Sequence, residues 1–278
     1  MGIKTYYWNT RKVSTARFFL DKYLHPKKKV FRYGNAGDIF NIDLIKYLYN
    51  QNPTLELSRG NRLLLIGSVL RVIEEGDIIN GIGWKGDDLS SKQKEISQAK
   101  VFGVRGPLTR SIFEKYGADL SELKFELDPG LLIREVYNLD LSVSRDDQVI
   151  FIPHYRDMWV YENKYPKGVK VINIDNKPVT IANEILKAKV VYASSLHGII
   201  FAHALNKPCV FVAPQSEEPI FKYRDYYLSI GYEMPEPLRN IHEINYLKDI
   251  AILPERDFSL NDFYFPDLDI LQKHKILE

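Results

Sequence analysis

The feature that most limits what this chain can become is a rhythm. A short apolar run ends in a turn built from glycine, serine or histidine, and an amphipathic stretch follows. Leu63-Leu64-Leu65-Ile66 ends in Gly67-Ser68, the run through Ile78-Ile79 ends in Gly81, and Val101-Phe102-Gly103-Val104 ends in Arg105-Gly106-Pro107. Val149-Ile150-Phe151-Ile152 ends in Pro153-His154, and Val190-Val191-Tyr192 ends in Ala193-Ser194-Ser195-Leu196-His197-Gly198. Continuous apolar runs of this length suit strands buried on both faces, as in a parallel sheet covered by helices. Helices between the runs make the class α/β, and the polar, uneven segment from Asn138 to Asp147 divides the rhythm in two. The expected architecture is two Rossmann-like, doubly wound domains facing each other across a cleft. They comprise residues 1–140 and 147–278, with the tail from Leu260 to Glu278 packing back across both.

Ligands of such sheets bind at the carboxyl ends of the strands. The turn Ser194-Ser195-Leu196-His197-Gly198 sits at such an end, where the first turn of a helix offers free N–H groups to an anion. A histidine there can donate to the anion or move a proton. Val30-Phe31-Arg32-Tyr33 reads as a strand leading into Gly34-Asn35-Ala36-Gly37-Asp38. The two glycines of that turn let the backbone bend sharply and approach a ligand. Asp38 reads as the N-cap of the helix that carries Ile39, Leu44, Ile45 and Leu48.

The loop from Gly81 to Gly86 holds Lys85, either an anion contact or a solvated lysine. Arg105 stands just before a helix that starts at Pro107, runs to about Tyr116 and stops at Gly117. Its guanidinium can grip a carboxylate or phosphate with two parallel hydrogen bonds, and a structural salt bridge is the alternative. His154, at a strand end, is a site residue or a structural histidine. His203 lies six residues after His197, roughly 240° around a helix, and so reads as a packing residue. Further helices are expected from Val179 to Lys187 and, rich in tyrosine, from Glu218 to Ile230.

Several function classes are disfavoured. A formal net charge of +2 is not the footprint of a nucleic-acid binder. The single cysteine, Cys209, sits in an apolar run, allows no disulfide within the chain and suits a reducing compartment. No apolar run approaches the ~20 residues of a membrane span. There is no Cys/His cluster or H-E-x-x-H for a metal, no G-x-S-x-G elbow and no P-loop, and Gly34 to Asp38 lacks the spacing of a dinucleotide fingerprint. The basic, aromatic stretch from Trp8 to Phe31, with Lys27-Lys28-Lys29, has two readings: a solvated loop, or a contact with an anionic membrane or acceptor. The 18 tyrosines are compatible with a sugar-binding groove.

Taken together and in order, five motifs resemble the polysaccharide pyruvyltransferase family, most of all its bacterial exopolysaccharide ketal pyruvyltransferase branch. They are Gly34 to Asp38, the Gly81 to Gly86 loop, Val104 to Thr109, Asp128-Pro129 and Ser194 to Gly198, and they span roughly residues 30 to 213. The resemblance implies a GT-B-like fold and phosphoenolpyruvate as donor, with no cofactor or metal required. It implies a sugar of a surface polysaccharide, such as an exopolysaccharide or capsule, or of its precursor, as acceptor. The product would be a pyruvate ketal, with phosphate released. It places the reaction in the cytoplasm, at the inner membrane face if the acceptor is lipid-linked. Within it, His197 is the expected general acid and Asp38 or His154 the base. Arg105, Ser194, Ser195, Lys85, Gly34, Asn35 and Gly37 are the expected donor-binding residues.

Some members of the family carry arginine two residues before the histidine, where this chain has Ser195. The phosphate must then find its cation elsewhere, among Arg105, Lys85, Arg32 and Arg156. A nucleotide-sugar glycosyltransferase of GT-B type and a non-catalytic carbohydrate-binding protein are the alternatives. Nothing after Ser194 reads as a base-stacking or ribose-binding signature.

Overall fold

A computed structural model of the chain describes residues 2–9, 11–25, 30–142, 147–161, 165–245 and 248–277. Lys27-Lys28-Lys29 and residues 143–146 of the expected linker lie outside the described residues. Six strands form the first sheet: β1 (Gly2–Thr5), β2 (Asn52–Leu55), β3 (Leu63–Leu64), β4 (Ile78–Asn80), β5 (Lys100–Val104) and β6 (Phe125–Glu126). Their order is β2-β1-β3-β4-β5-β6 and every neighbouring pair is parallel. Around them lie α1 (Thr15–Leu24), α2 (Ala36–Tyr49), α3 (Gln93–Ser97), α4 (Pro107–Lys115) and α5 (Ile133–Val136).

The second sheet is made of β7 (Gln148–Ile152), β8 (Val169–Val171), β9 (Ala188–Ala193), β10 (Cys209–Phe211) and β11 (Ala251–Ile252). Its order is β11-β10-β9-β7-β8, with only the edge strand β11 antiparallel. Its helices are α6 (Met158–Tyr161), α7 (Pro178–Lys187), α8 (Leu196–Ala204), α9 (Phe221–Ser229) and α10 (Leu268–Lys273), the last of which returns to the first sheet. There the Lys4 N–H donates to the Ile276 carbonyl at 2.9 Å, and Phe263 and Phe265 pack on Phe125.

The strand orders locate two switch points. In the first sheet the chain leaves β1 for β2 on one side and then places β3 on the other. In the second it leaves β7 for β8 and then places β9 on the opposite side. The crevice outside the carboxyl ends at such a reversal is where α/β sheets bind ligands. One hydrophobic core runs through both sheets, taking in Ile3, Phe40 and Phe102 as well as Ile150, Phe201 and Phe211. Phe40 of α2 meets Phe201 of α8 edge-on, with ring centroids 5.7 Å apart.

Two local expectations are corrected. Val30-Phe31-Arg32-Tyr33 is not a strand; Phe31 makes one bridge, to Lys12. The backbone N–H groups of Arg32, Tyr33 and Gly34 are instead taken up by the Asp175 carboxylate at 2.8, 2.8 and 3.0 Å, so no ladder can form there. The first strand is Gly2–Thr5. The N-cap of α2 is Asn35, whose side chain accepts from the Gly37 N–H, which frees Asp38 to turn elsewhere.

Candidate active site

Both switch points open on one cavity of about 510 Å³. From the first sheet come Tyr6 and Trp8, beyond β1, and Ser68, beyond β3; from the second come His154 and Tyr155, beyond β7, and Ser195 and His197, beyond β9. Asn35 and Asp38 enter from the start of α2.

The Ser-Ser-Leu-His-Gly turn divides its work. Ser194 is buried: its hydroxyl accepts from the His154 N–H at 3.2 Å, and its carbonyl accepts from the Tyr223 hydroxyl at 2.6 Å. It ties β9 to the end of β7 and does not line the cavity. Ser195 caps α8 and does line it. Every residue of α8 is buried, as befits a helix apolar all round.

His197 projects from the first turn of α8, and its Nε2 is buried without a hydrogen-bond partner. Burial, then the nearby Arg105 and Lys222 charges, push its pKa down to about 3, so the imidazole is neutral at pH 7. The ring rests against Gly37, where a Cβ would stand 1.9 Å from the His197 Cγ. Gly34, at a φ of +124°, makes the turn that brings Gly37 there. Asp38, also on the cavity, is shifted the opposite way. Burial raises its carboxyl to about 7; Lys222 and Lys85 oppose the shift and Asp128 adds to it.

The strongest charge assembly was legible in the sequence only through Lys85 and Arg156. Glu218, nearly buried in the loop before α9, is ringed by cations. Lys222 Nζ lies 2.6 Å and Lys85 Nζ 3.1 Å from its Oε1, and Arg156 Nη1 lies 3.3 Å from its Oε2. His154 Nε2 stands 3.8 Å away. Burial raises the Glu218 carboxyl, but Lys222, His154 and Lys85 outweigh it and hold the group at about 2. Burial lowers the Lys222 ammonium to about 8 against the pull of Glu218. Burial, with Lys222 next, pushes His154 well below its usual value. Lys85, Arg156 and Lys222 thus bring three cations against one carboxylate on the cavity wall. Lys222 escapes sequence reading because it sits among Phe221, Tyr223, Tyr226 and Tyr227 in a helix that reads as packing.

Arg105 is placed differently from the expectation. It is fully buried and off the cavity wall, with Nε and Nη2 both 3.0 Å from Asp225 Oδ2 of α9. Nη2 also donates to the Trp84 carbonyl and Nη1 to Ser68 Oγ, both at 2.6 Å. Asp225 accepts as well from the Thr109 hydroxyl and N–H at the start of α4. The guanidinium therefore locks α4 to α9 and orients Ser68. Arg32 is also absent from the cavity; it lies over the Phe19 and Tyr33 rings. His203 bonds Tyr226 through Nδ1 at 2.9 Å, the packing role read from its helical phase.

Trp8, Phe31 and Tyr155 form a mutually packed triad with centroids 5.3–5.4 Å apart, and Trp8 and Tyr155 face the cavity. Among the described residues no three His, Cys, Asp or Glu side chains converge to hold a metal ion, and no helix is long and apolar enough to cross a membrane.

The chain is 27% identical over 250 residues to an uncharacterised protein of Acanthamoeba polyphaga mimivirus, covering 85% of this chain and 82% of that one. It is similar to a solved structure of a functionally uncharacterised protein from Klebsiella pneumoniae, with 18% identity, a TM-score of 0.44, and coverage of 81% of this chain and 98% of that one. The family model for polysaccharide pyruvyl transferase matches residues 19–216, a stretch that holds Asn35, Asp38, Lys85, His154, Arg156 and His197 of the cavity but not Trp8, Glu218 or Lys222, and this chain belongs to the polysaccharide pyruvyl transferase family.

Proposed function

We propose that the protein transfers the pyruvyl group of phosphoenolpyruvate to two hydroxyls of a saccharide, forming a cyclic pyruvate ketal and releasing phosphate. The observation that carries this reading is the cation group Lys85, Arg156 and Lys222, which shares a cavity with a carboxyl titrating near pH 7 and a neutral histidine. Phosphoenolpyruvate is small and highly anionic, and the wall offers it more positive charge than Glu218 neutralises. The ring faces of Trp8 and Tyr155 suit the apolar faces of a pyranose. The two switch points converging on one cavity favour a GT-B-like arrangement, and the reading takes the reaction to be cytoplasmic.

The titration directions exchange the acid and base roles expected from sequence. Asp38 is protonated below about pH 7, whereas His197 is neutral and its Nε2 has no partner. In this reading Asp38 gives its proton to the methylene carbon of the donor, leaving cationic character on the adjacent carbon. A first acceptor hydroxyl bonds to that carbon while His197 takes its proton. Phosphate leaves with the electrons of the carbon–oxygen bond, drawn by Lys85, Arg156 and Lys222, and receives the proton held by His197. The second hydroxyl closes the ring and returns a proton to Asp38. Protons and charge balance, and no redox step arises.

The test measures phosphate release from phosphoenolpyruvate with a panel of simple pyranosides, and the ketal methyl signal by NMR. Thermal shifts with phosphoenolpyruvate and with uridine diphosphate-sugars run alongside. Donor-dependent stabilisation that is lost in Lys222→Met, together with ketal formation, is the expected result. Stabilisation by nucleotide-sugars alone would overturn the reading.

A further inference from the structure

Helix α1 is built inside out. An amphipathic helix in water turns its apolar stripe to the core and its charges outward. In α1 the one buried residue is Asp21, while Phe19, Leu20, Tyr23 and Leu24 are 58%, 48%, 86% and 55% exposed. Phe19 and Tyr23 are spaced i,i+4, as are Leu20 and Leu24, so the four form two adjacent rows on one face.

The helix is attached to the cavity rim by a narrow neck. The Val13 N–H donates to the Phe31 carbonyl and the Phe31 N–H to the Arg11 carbonyl, both at 3.0 Å. Arg11 lines the cavity, and Phe31 packs against Trp8 and Tyr155, which line it too. From the neck to the tip the described residues carry five cations, Arg11, Lys12, Arg17, Lys22 and Arg32. The only acid among them is Asp21, which Arg17 pairs at 3.0 Å.

An apolar face edged by cations is what an interfacial helix presents to anionic lipid: the apolar rows enter the headgroup boundary and the cations meet phosphates. A second copy of the same helix would bring five cations against five. We propose that α1 docks the protein on an anionic lipid bilayer, inserting Phe19, Leu20, Tyr23 and Leu24 and holding the cavity rim at the membrane surface. This goes beyond the pyruvyl-transfer reading and does not depend on it.

The test is co-sedimentation of the full chain with vesicles of phosphatidylcholine alone, or of phosphatidylcholine with phosphatidylglycerol. The native protein sediments with the anionic vesicles only, and added salt weakens the binding. A variant carrying F19S, L20S, Y23S and L24S loses no more than a few degrees of melting temperature, because these side chains are about half or more exposed, and binds at least about tenfold more weakly. K12E with R17E weakens binding to anionic vesicles in the same direction. Y23S alone, at the most exposed position, serves if the fourfold variant misfolds. Failure of the native protein to sediment, or undiminished binding by both serine variants, overturns the proposal. So does a native dimer in solution that the fourfold variant converts to monomer.

Discussion

Gly37 and His197 touch across the junction of the two sheets so closely that no side chain fits between them. A Cβ at Gly37 would lie 1.9 Å from the His197 Cγ and 2.5 Å from its Cβ. The contact ties the first turn of α2 to the first turn of α8 and sets the height of the imidazole in the cavity. It is a requirement for space alone, since the Gly37 backbone is an ordinary helical one.

Gly37→Ala is expected to displace the imidazole. Alanine favours a helix over glycine by about 1 kcal/mol, while overpacking costs about 1–3 kcal/mol. The melting temperature therefore changes little or falls by a few degrees, whereas activity falls by about a hundredfold or more, as expected when a reacting group is misplaced. Parallel thermal unfolding and phosphate-release assays check both. Full activity in the alanine variant would show that the position of His197 is not needed.

Asp38 makes stability depend on pH with a definite sign. Its folded pKa is raised from 3.8 to about 7, chiefly by burial, so the folded state holds a proton that the unfolded state has released. The contribution is fully present below the unfolded value and is lost as pH rises through about 7. Asp38→Asn removes this dependence. Between pH 5.5 and 8.5 the variant should gain up to about 2 kcal/mol on the native protein in urea unfolding, while losing activity at every pH.

Glu218→Gln leaves Lys222, Lys85 and Arg156 facing one another without their shared carboxylate. Breaking a buried pair costs about 3–5 kcal/mol. Because the Glu218 carboxyl is held at about 2, its contribution is present above the ordinary carboxyl range and is lost only in strong acid. The variant is therefore destabilised at pH 7. Inorganic phosphate should restore part of the loss, giving a larger thermal shift than in the native protein. An equal shift in both would mean that these cations are not the phosphate site.

Arg105→Ala should act on folding before it acts on the donor. It leaves Asp225 buried beside Thr109 without its cation, at a cost of about 3–5 kcal/mol. The double variant Arg105→Met with Asp225→Leu should recover most of that stability in urea titrations. If Arg105→Ala instead kept native stability and raised only the KM for phosphoenolpyruvate, the guanidinium would have to reach the donor directly.

Much of this was legible in the residues. The apolar runs at Leu63, Val101, Val149 and Val190 are strands, Pro107 opens a helix, and the turns after β7 and β9 carry His154, Ser195 and His197 to one cavity. Where local reading failed, a distant group had taken over the backbone or the charge. Val30 to Tyr33 has strand-like composition, but the carboxylate of Asp175, more than 140 residues away, captures its N–H groups. Asp38 sits where an N-cap is common, but Asn35 takes that role, and Asp38 becomes a buried acid instead.

The sequence by itself determined most of the central strands and helices and the sheet edge at which the candidate site lies. Burial and turn chemistry repeat over a few neighbouring residues and leave a local pattern. Only the tertiary structure decided which charge meets which. Arg105 finds Asp225 120 positions away, and Glu218 gathers Lys85, Arg156 and Lys222. Electrostatic pairing depends on distance in space and on the loss of water around both partners, and neither is written in the spacing of residues along a chain.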